Sequence, residues 1–273
     1  TSRQSLNIKG IIMSLLKNKN AVVTGGSRGI GRSIGISLAK EGCNIAIIGR
    51  TTEEVNDSVD FIKQFDVNVN GYIGDQRDES FVKNTLSQIS AHYNSIDILI
   101  NNAAVGMRYI NDPEDRYIHN MKTDDWKNIL DINLNGVFYF TRETLKIMRK
   151  QKNGKIIMLS SGLGRRAYQQ YGPYSASKFA MEAMMQIVSI ENSDLGIYCN
   201  SVAPGGLTNS SEKFLGTMES EKLEKILPVN VCDDIILFLS SDESGTLTGQ
   251  ALTATDWNQK NNITVEELRN RLS

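Results

Sequence analysis

Residues 24–31 read Thr-Gly-Gly-Ser-Arg-Gly-Ile-Gly and follow directly on the apolar run Ala21-Val22-Val23. An apolar run that ends in such a glycine-rich stretch predicts a buried strand turning sharply into a helix. Glycine accepts positive φ and has no Cβ to block an approaching ligand. The helix beyond the turn offers unpaired N–H groups and the positive end of its dipole, which together suit a pyrophosphate. Gly25, Ser27, Arg28, Gly29, Ile30 and Gly31 are therefore the first candidates for cofactor contact.

Outward from this turn, apolar runs alternate with amphipathic stretches. Asn44–Gly49 is continuous and rich in β-branched residues, as in a strand covered on both faces. Val55, Val59 and Ile62 then recur at helical spacing. Val67–Ile73 reads as a strand, and Phe81, Val82, Thr85, Leu86 and Ile89 mark a helix. Ile96–Ile100, Lys155–Ser160, Gly196–Val202 and Gln250–Thr253 are further strand candidates. Strands separated by helices imply one doubly wound, Rossmann-like α/β domain: a parallel sheet of about seven strands with helices on both faces. The motif residues fall at the carboxyl ends of these strands, where such sheets bind ligands. The domain is placed at 18–273, with a substrate lid at 207–231 and a C-terminal tail at 254–273.

The 273 residues are 40% hydrophobic, enough for a large core, and the net charge of −1 gives no reason to expect nucleic acid as a partner. No apolar run approaches a bilayer span, so no membrane segment is expected. Cys43, Cys199 and Cys232 lack CxxC spacing and read as small buried hydrophobes in a reducing, cytoplasmic compartment. His92 and His119 share no metal-ligand spacing, so no metal is expected. The first twenty residues carry Arg3, Lys9, Lys17 and Lys19 without an acid and lack a signal-peptide pattern. Residues 1–17 read as an extension or a tag remnant.

A second constellation stands downstream: Asn133, Ser161, Tyr174 and Lys178. With the TGxxxGxG pattern of Thr24, Gly25, Gly29 and Gly31, it resembles the short-chain dehydrogenase/reductase family from about residue 18 to about 253. The resemblance leans toward the 3-oxoacyl-carrier-protein-reductase-like carbonyl reductases. Asn101-Asn102-Ala103-Ala104 is similar to the family's NNAG segment, Tyr174-Ser175-Ala176-Ser177-Lys178 fits YxxxK, and Pro204-Gly205 fits the segment after the sixth strand.

The resemblance implies hydride transfer between a nicotinamide cofactor and a carbonyl or alcohol, with Tyr174 moving the proton. A tyrosine with an ordinary pKa near ~10 needs help to do so at neutral pH. Lys178, one helical turn on, is expected to lower that pKa and to bind the nicotinamide ribose. Ser161 is expected to hydrogen-bond the substrate oxygen. By resemblance, Asn133 anchors a water next to Lys178, Asp75 meets the adenine, Asn102 lies beside the cofactor, and Thr208 faces the nicotinamide.

The position that commonly holds an acid for the ribose hydroxyls in NAD sites is Gly49, followed by Arg50. Alone, Arg28 and Arg50 read as solvated surface charges. Flanking the adenosine pocket together, with no carboxylate expected there, they predict NADP(H) gripped at its 2′-phosphate. The expected enzyme is an NADPH-dependent reductase of ketones or aldehydes; the alternative is an NAD(P)-dependent alcohol or sugar dehydrogenase working in the oxidative direction. A homo-oligomer, tetramer or dimer, is expected. The stretch Val105–Trp126 is longer than is usual in the family and is expected to govern substrate choice, with Arg108 and Arg116 as candidate anion contacts or solvated loop charges.

Overall fold

The computed structural model describes residues 14–208 and 225–272. Most of the stretch expected to form a lid therefore lies outside the described residues. Seven strands make one parallel sheet: β1 (Asn20–Thr24), β2 (Asn44–Gly49), β3 (Val69–Ile73), β4 (Ile98–Asn101), β5 (Gly154–Leu159), β6 (Ile197–Ala203) and β7 (Ala251–Thr253). Their spatial order is β3-β2-β1-β4-β5-β6-β7. The expected strands are all present, with ends displaced by one or two residues.

Side-chain alternation explains why the sheet is covered twice. Val23, Ile45, Ile47, Ile98 and Ile100 point into one buried cluster, with Leu38 of α1 (Gly29–Lys40), Val55 of α2 (Thr52–Ile62) and Ile235 of α7 (Asp233–Ser240). Val22, Ala46, Ile48, Leu99 and Ile156 point into the other. There they meet Leu86 of α3 (Glu79–Tyr93), Phe140 of α5 (Gly136–Gln151) and Met181 and Met185 of α6 (Gly172–Asn192). Each fully buried Ile or Leu contributes roughly 1.5–3 kcal/mol through removal from water, so two such layers dominate the stability of the sheet.

Ser14–Lys17, read above as part of an extension, packs onto the domain. Leu16 is fully buried in the first cluster, and its N–H donates to the Glu41 carbonyl at 2.9 Å. At the other end the tail forms two short helices, α8 (Ala254–Lys260) and α9 (Val265–Asn270). Trp257 packs on Phe238 with ring centres 4.5 Å apart, and α9 opens with a Thr264–Glu267 capping box.

The strand order reverses between β1 and β4, which opens a crevice above their carboxyl ends. Thr24 and Asn102 tie its two walls together. The Thr24 hydroxyl accepts from the Asn102 and Ala103 N–H groups, both at 3.0 Å. The Asn102 side-chain amide donates back to the Thr24 and Gly25 carbonyls at 2.9 and 3.1 Å.

Candidate active site

A cleft of about 1520 Å³ runs over this crevice. Its floor is the glycine turn between β1 and α1. Gly25 sits at φ +63°, a backbone conformation that a side chain would strain. A Cβ at Gly31 would lie 2.3 Å from the Gly25 carbonyl oxygen, so only glycine lets α1 start this close to the turn. Ser27, Arg28, Gly29 and Ile30 line the cleft between them. The turn presents main-chain N–H groups and a helix N-terminus with no side chain capping it, which fits a dinucleotide pyrophosphate.

Pro204, Gly205 and Thr208, from the segment after β6, line the cleft as well. Thr208 pairs with Leu227 in an isolated parallel bridge.

Ser161, Tyr174 and Lys178 come together at the centre of the cleft, and Asn133 does not. Asn133 is fully buried in a π-type turn (Asp131–Asn135) between α4 (Thr123–Leu130) and α5. Its amide accepts from the Val105 N–H and donates to the Val105 carbonyl, both at 2.8 Å. It also reaches the Ser177 hydroxyl at 3.4 Å. In this geometry its partner is the start of the long loop.

Ser161 follows β5, and its hydroxyl accepts from the Leu163 N–H at 3.2 Å, starting a short 3₁₀ turn. Tyr174 is half-buried. Burial pushes its phenol above the ordinary tyrosine value, against the lowering effect of a hydrogen bond with Ser161. Contrary to the expectation, Lys178, one turn along α6, is not among the groups that lower the Tyr174 pKa. Its Nζ is turned to the Leu159 carbonyl at 2.6 Å and lies 5.9 Å from the centre of the Tyr174 ring. Desolvation lowers Lys178 to about 8, with the Glu182 carboxylate opposing.

The adenosine end differs from expectation in one respect. Gly49 has no room for a side chain, since a Cβ there would lie 2.6 Å from Val55 and 3.1 Å from the Ser27 hydroxyl. Sterics thus exclude an acid at the end of β2. Yet a carboxylate does stand in this pocket: Glu54, in the first turn of α2, accepts from the Ser27 hydroxyl at 3.3 Å and lies 3.8 Å from Arg28 Nε. Arg50 lies 3.9 Å from Asp75. Asp75 itself is held by Arg77, which donates from Nε, Nη2 and the main chain at 3.1, 2.7 and 2.9 Å. Burial raises the Asp75 carboxyl, but these bonds outweigh it and leave it below its usual value.

The family model for short chain dehydrogenases matches residues 19–219. The chain belongs to that family. It is 30% identical over 247 residues to the 3-oxoacyl-[acyl-carrier-protein] reductase FabG of Staphylococcus epidermidis, covering 86% of this chain and 96% of that protein. A reductase of the same name from Buchnera aphidicola subsp. Baizongia pistaciae is 31% identical over 240 residues, covering 86% and 94%. Among solved structures, a putative short-chain alcohol dehydrogenase from Sinorhizobium meliloti superimposes with a TM-score of 0.80 at 25% identity, covering 89% of this chain and 96% of that one. Carveol dehydrogenase from Mycobacterium avium, solved with NAD, superimposes with a TM-score of 0.79 at 24% identity, covering 88% and 97%. The family consists of oxidoreductases that use NAD(P)(H).

Beyond Glu54, two further groups of the site lie outside the sequence motifs. The Leu159 carbonyl that receives Lys178 is main chain and carries no sequence mark. Glu182, one turn beyond Lys178, is buried; it accepts from Ser201 Oγ at 2.5 Å and from Arg165 Nε at 3.2 Å. Arg165 in turn donates to Thr253 Oγ1 and the Leu252 carbonyl at 3.1 and 2.9 Å. The pair joins the Ser161 loop, the Tyr174–Lys178 helix and the edge strand β7. A Lys178-to-Glu182 spacing of four residues was the available clue.

Proposed function

We propose that the protein is a cytoplasmic NADPH-dependent reductase that converts a ketone or aldehyde to an alcohol. The observation that carries this reading is the convergence of Ser161, Tyr174 and Lys178 beside the glycine turn in one cleft. When bound, the nicotinamide supplies the hydride. Tyr174, kept protonated by its burial, is the acid that delivers a proton to the carbonyl oxygen. The Ser161 hydroxyl holds that oxygen against the phenol. Lys178, still an ammonium below about pH 8, adds positive charge behind the tyrosine and is placed to reach a ribose hydroxyl. Asn133 fixes Val105 and so the root of the long loop.

Preference for the phosphorylated cofactor rests on Arg28 and Arg50. Both are exposed and loosely held, at 3.8 and 3.9 Å from their carboxylates, so a 2′-phosphate can take them over. Glu54 favours a second reading, an NAD-linked dehydrogenase in which its carboxylate accepts from the ribose hydroxyls. Titration with NADPH and NADH, followed by a panel of carbonyl compounds, separates the two. Tighter NADH binding with alcohol oxidation as the faster direction would replace the first reading by the second.

A homo-oligomer, tetramer or dimer, completes the proposal. On α6, Phe179, Ile187 and Ile190 are 43, 53 and 79% exposed, a costly arrangement for a lone chain. A monomeric mass by light scattering at micromolar concentration would contradict it.

A further inference from the structure

The tail beyond β7 touches one wall of the cleft at two separate places. Gly205, in the turn after β6, stands at φ +97°, and a Cβ there would run into the Thr255 hydroxyl of α8. Only glycine lets the turn sit this close to the tail. The second place is the segment that leads into α7. Arg269 of α9 donates through Nη2 to the Ile226 carbonyl at 3.2 Å, and the Asn230 amide donates to the Leu268 carbonyl at 2.7 Å. We propose that Thr255 and Arg269 are positioning residues of the cofactor site, through which the C-terminal tail fixes the 204–208 wall against which the nicotinamide half of the cofactor lies. This deepens the reading of the cleft as a nicotinamide site and rests on it.

The two anchored stretches meet in the cleft. The Leu227 N–H donates to the Leu207 carbonyl at 2.8 Å, and Thr208 forms its bridge with the same Leu227. A Cβ at Gly206 would lie 3.0 Å from the Leu227 side chain, so the pairing is close. Residues 204–208 all line the cleft that Ser161 and Tyr174 share. They follow β6, which pairs in parallel with β5, and Ser161 follows β5. With the pyrophosphate at the glycine turn and the reacting carbonyl held at Ser161 and Tyr174, the nicotinamide ring falls beside this wall. A wall held from both ends presents one surface to the ring before the cofactor arrives, and less order has to be gained on binding.

The tail is a firm base for this task. Ala254 and Leu268 are buried in the first core cluster, and Trp257 packs against it. The Asn258 amide donates to the Val231 carbonyl at 2.9 Å, and Arg271 pairs with Asp234 at 2.6 Å. Covering the core would need only Leu268 and Trp257. The contacts of Thr255 with Gly205 and of Arg269 with Ile226 add nothing to that cover, and both fall on the wall.

The test separates the two halves of the cofactor. Thr255→Ala and Arg269→Ala are made alone and together; Thr255 is partly exposed and Arg269 exposed, so the buried Ala254 and Leu268 stay in place. Each protein is titrated calorimetrically with NADPH and with 2′,5′-ADP, which has no nicotinamide half; NADH and ADP serve as the unphosphorylated pair. The double variant should bind the reduced cofactor about tenfold more weakly, the scale of one or two lost hydrogen bonds, while its adenosine fragment stays within a factor of about two. Thr255→Ser with Arg269→Lys, which gives back a hydroxyl and a cationic donor, should recover most of the loss. Equal loss of cofactor and fragment, as a general loosening would give, or no loss of either, overturns the inference. The two claims fail separately. Cofactor binding that responds as expected, without turnover of any carbonyl compound, sinks the reductase reading and leaves the positioning role. Brisk turnover with cofactor affinity unchanged in the variants sinks the positioning role alone, and a parent that binds neither reduced cofactor removes both.

Discussion

The adenosine end of the cleft and its catalytic centre set their electrostatics by different means. At the adenosine end every described charge has an opposite within reach: Arg28 beside Glu54, and Arg50 beside an Asp75 already engaged by Arg77. A balanced surface can hold its ligand mostly through glycine-turn N–H groups and adjust selectivity by trading one ion pair for another. At the centre burial, more than charge, sets the protonation of Tyr174 and Lys178.

The largest effect that divides these regions is expected at the centre. Tyr174→Phe keeps the ring and its packing against Met107 and Ile110 but removes the proton. Turnover should fall by about 10²–10⁴-fold, the usual cost of losing a general acid. NADPH affinity, which belongs to the adenosine end and the glycine turn, should stay within a factor of about two. Stopped-flow measurement of hydride transfer, paired with a fluorescence titration of NADPH, reads both quantities. Near-normal turnover would remove Tyr174 from the chemistry.

The pH profile probes the same centre more gently. Lys178 is a base whose folded pKa lies below its ordinary value, at about 8, so its charge is present below that pH and lost above it. The Tyr174 phenol is raised and remains protonated across this range. For reduction, kcat/KM should therefore be level below about pH 8 and fall about tenfold per unit above it, an alkaline limb owed to Lys178. Lys178→Arg, which keeps its charge, should abolish that limb even though the rate drops. A profile level to pH 9.5 in the parent would show that the ammonium is not required.

Much of this was legible in the sequence, for reasons that differ by region. Continuous apolar runs at Ile45–Ile48 and Ile98–Ile100 dictate a sheet buried on both faces, and the carboxyl ends of its strands then locate the cleft. Tyr174 and Lys178 are placed together by helix geometry alone. What stayed hidden depends on contacts between separate elements. Glu54 sits where a first-turn acid is ordinary, and its approach to Ser27 exists only once the turn after β2 has folded over the glycine turn. The direction of the Tyr174 shift stayed hidden as well, because spacing reveals the neighbouring ammonium but not the desolvation, or the Leu159 carbonyl that draws Nζ away. Asn133 carried no sign of its inward turn, since a π-type turn cannot be told from an α-helix by periodicity.

The smallest expected effect sharpens the adenosine end. Arg50→Asp should weaken NADPH by about tenfold while leaving NADH nearly unchanged, because it places a charge of the wrong sign against a 2′-phosphate that an exposed arginine would have gripped. Glu54→Gln is the finer instrument. The amide keeps the size of the side chain and can still accept from the Ser27 hydroxyl, so the turn should hold its shape. It removes the negative charge that stands beside Arg28 among the described residues. If the 2′-phosphate lies between Arg28 and Arg50, losing that repulsion should tighten NADPH by a few-fold, within the ~0.2–1 kcal/mol typical of exposed ion pairs, with NADH unaffected. If Glu54 instead accepts from ribose hydroxyls, the amide should weaken NADH and leave NADPH where it was. The two results have opposite signs. A pair of equilibrium titrations at low and moderate salt therefore decides which ion pair of this balanced surface the cofactor displaces, and the phosphate-dependent gain should shrink as salt screens it.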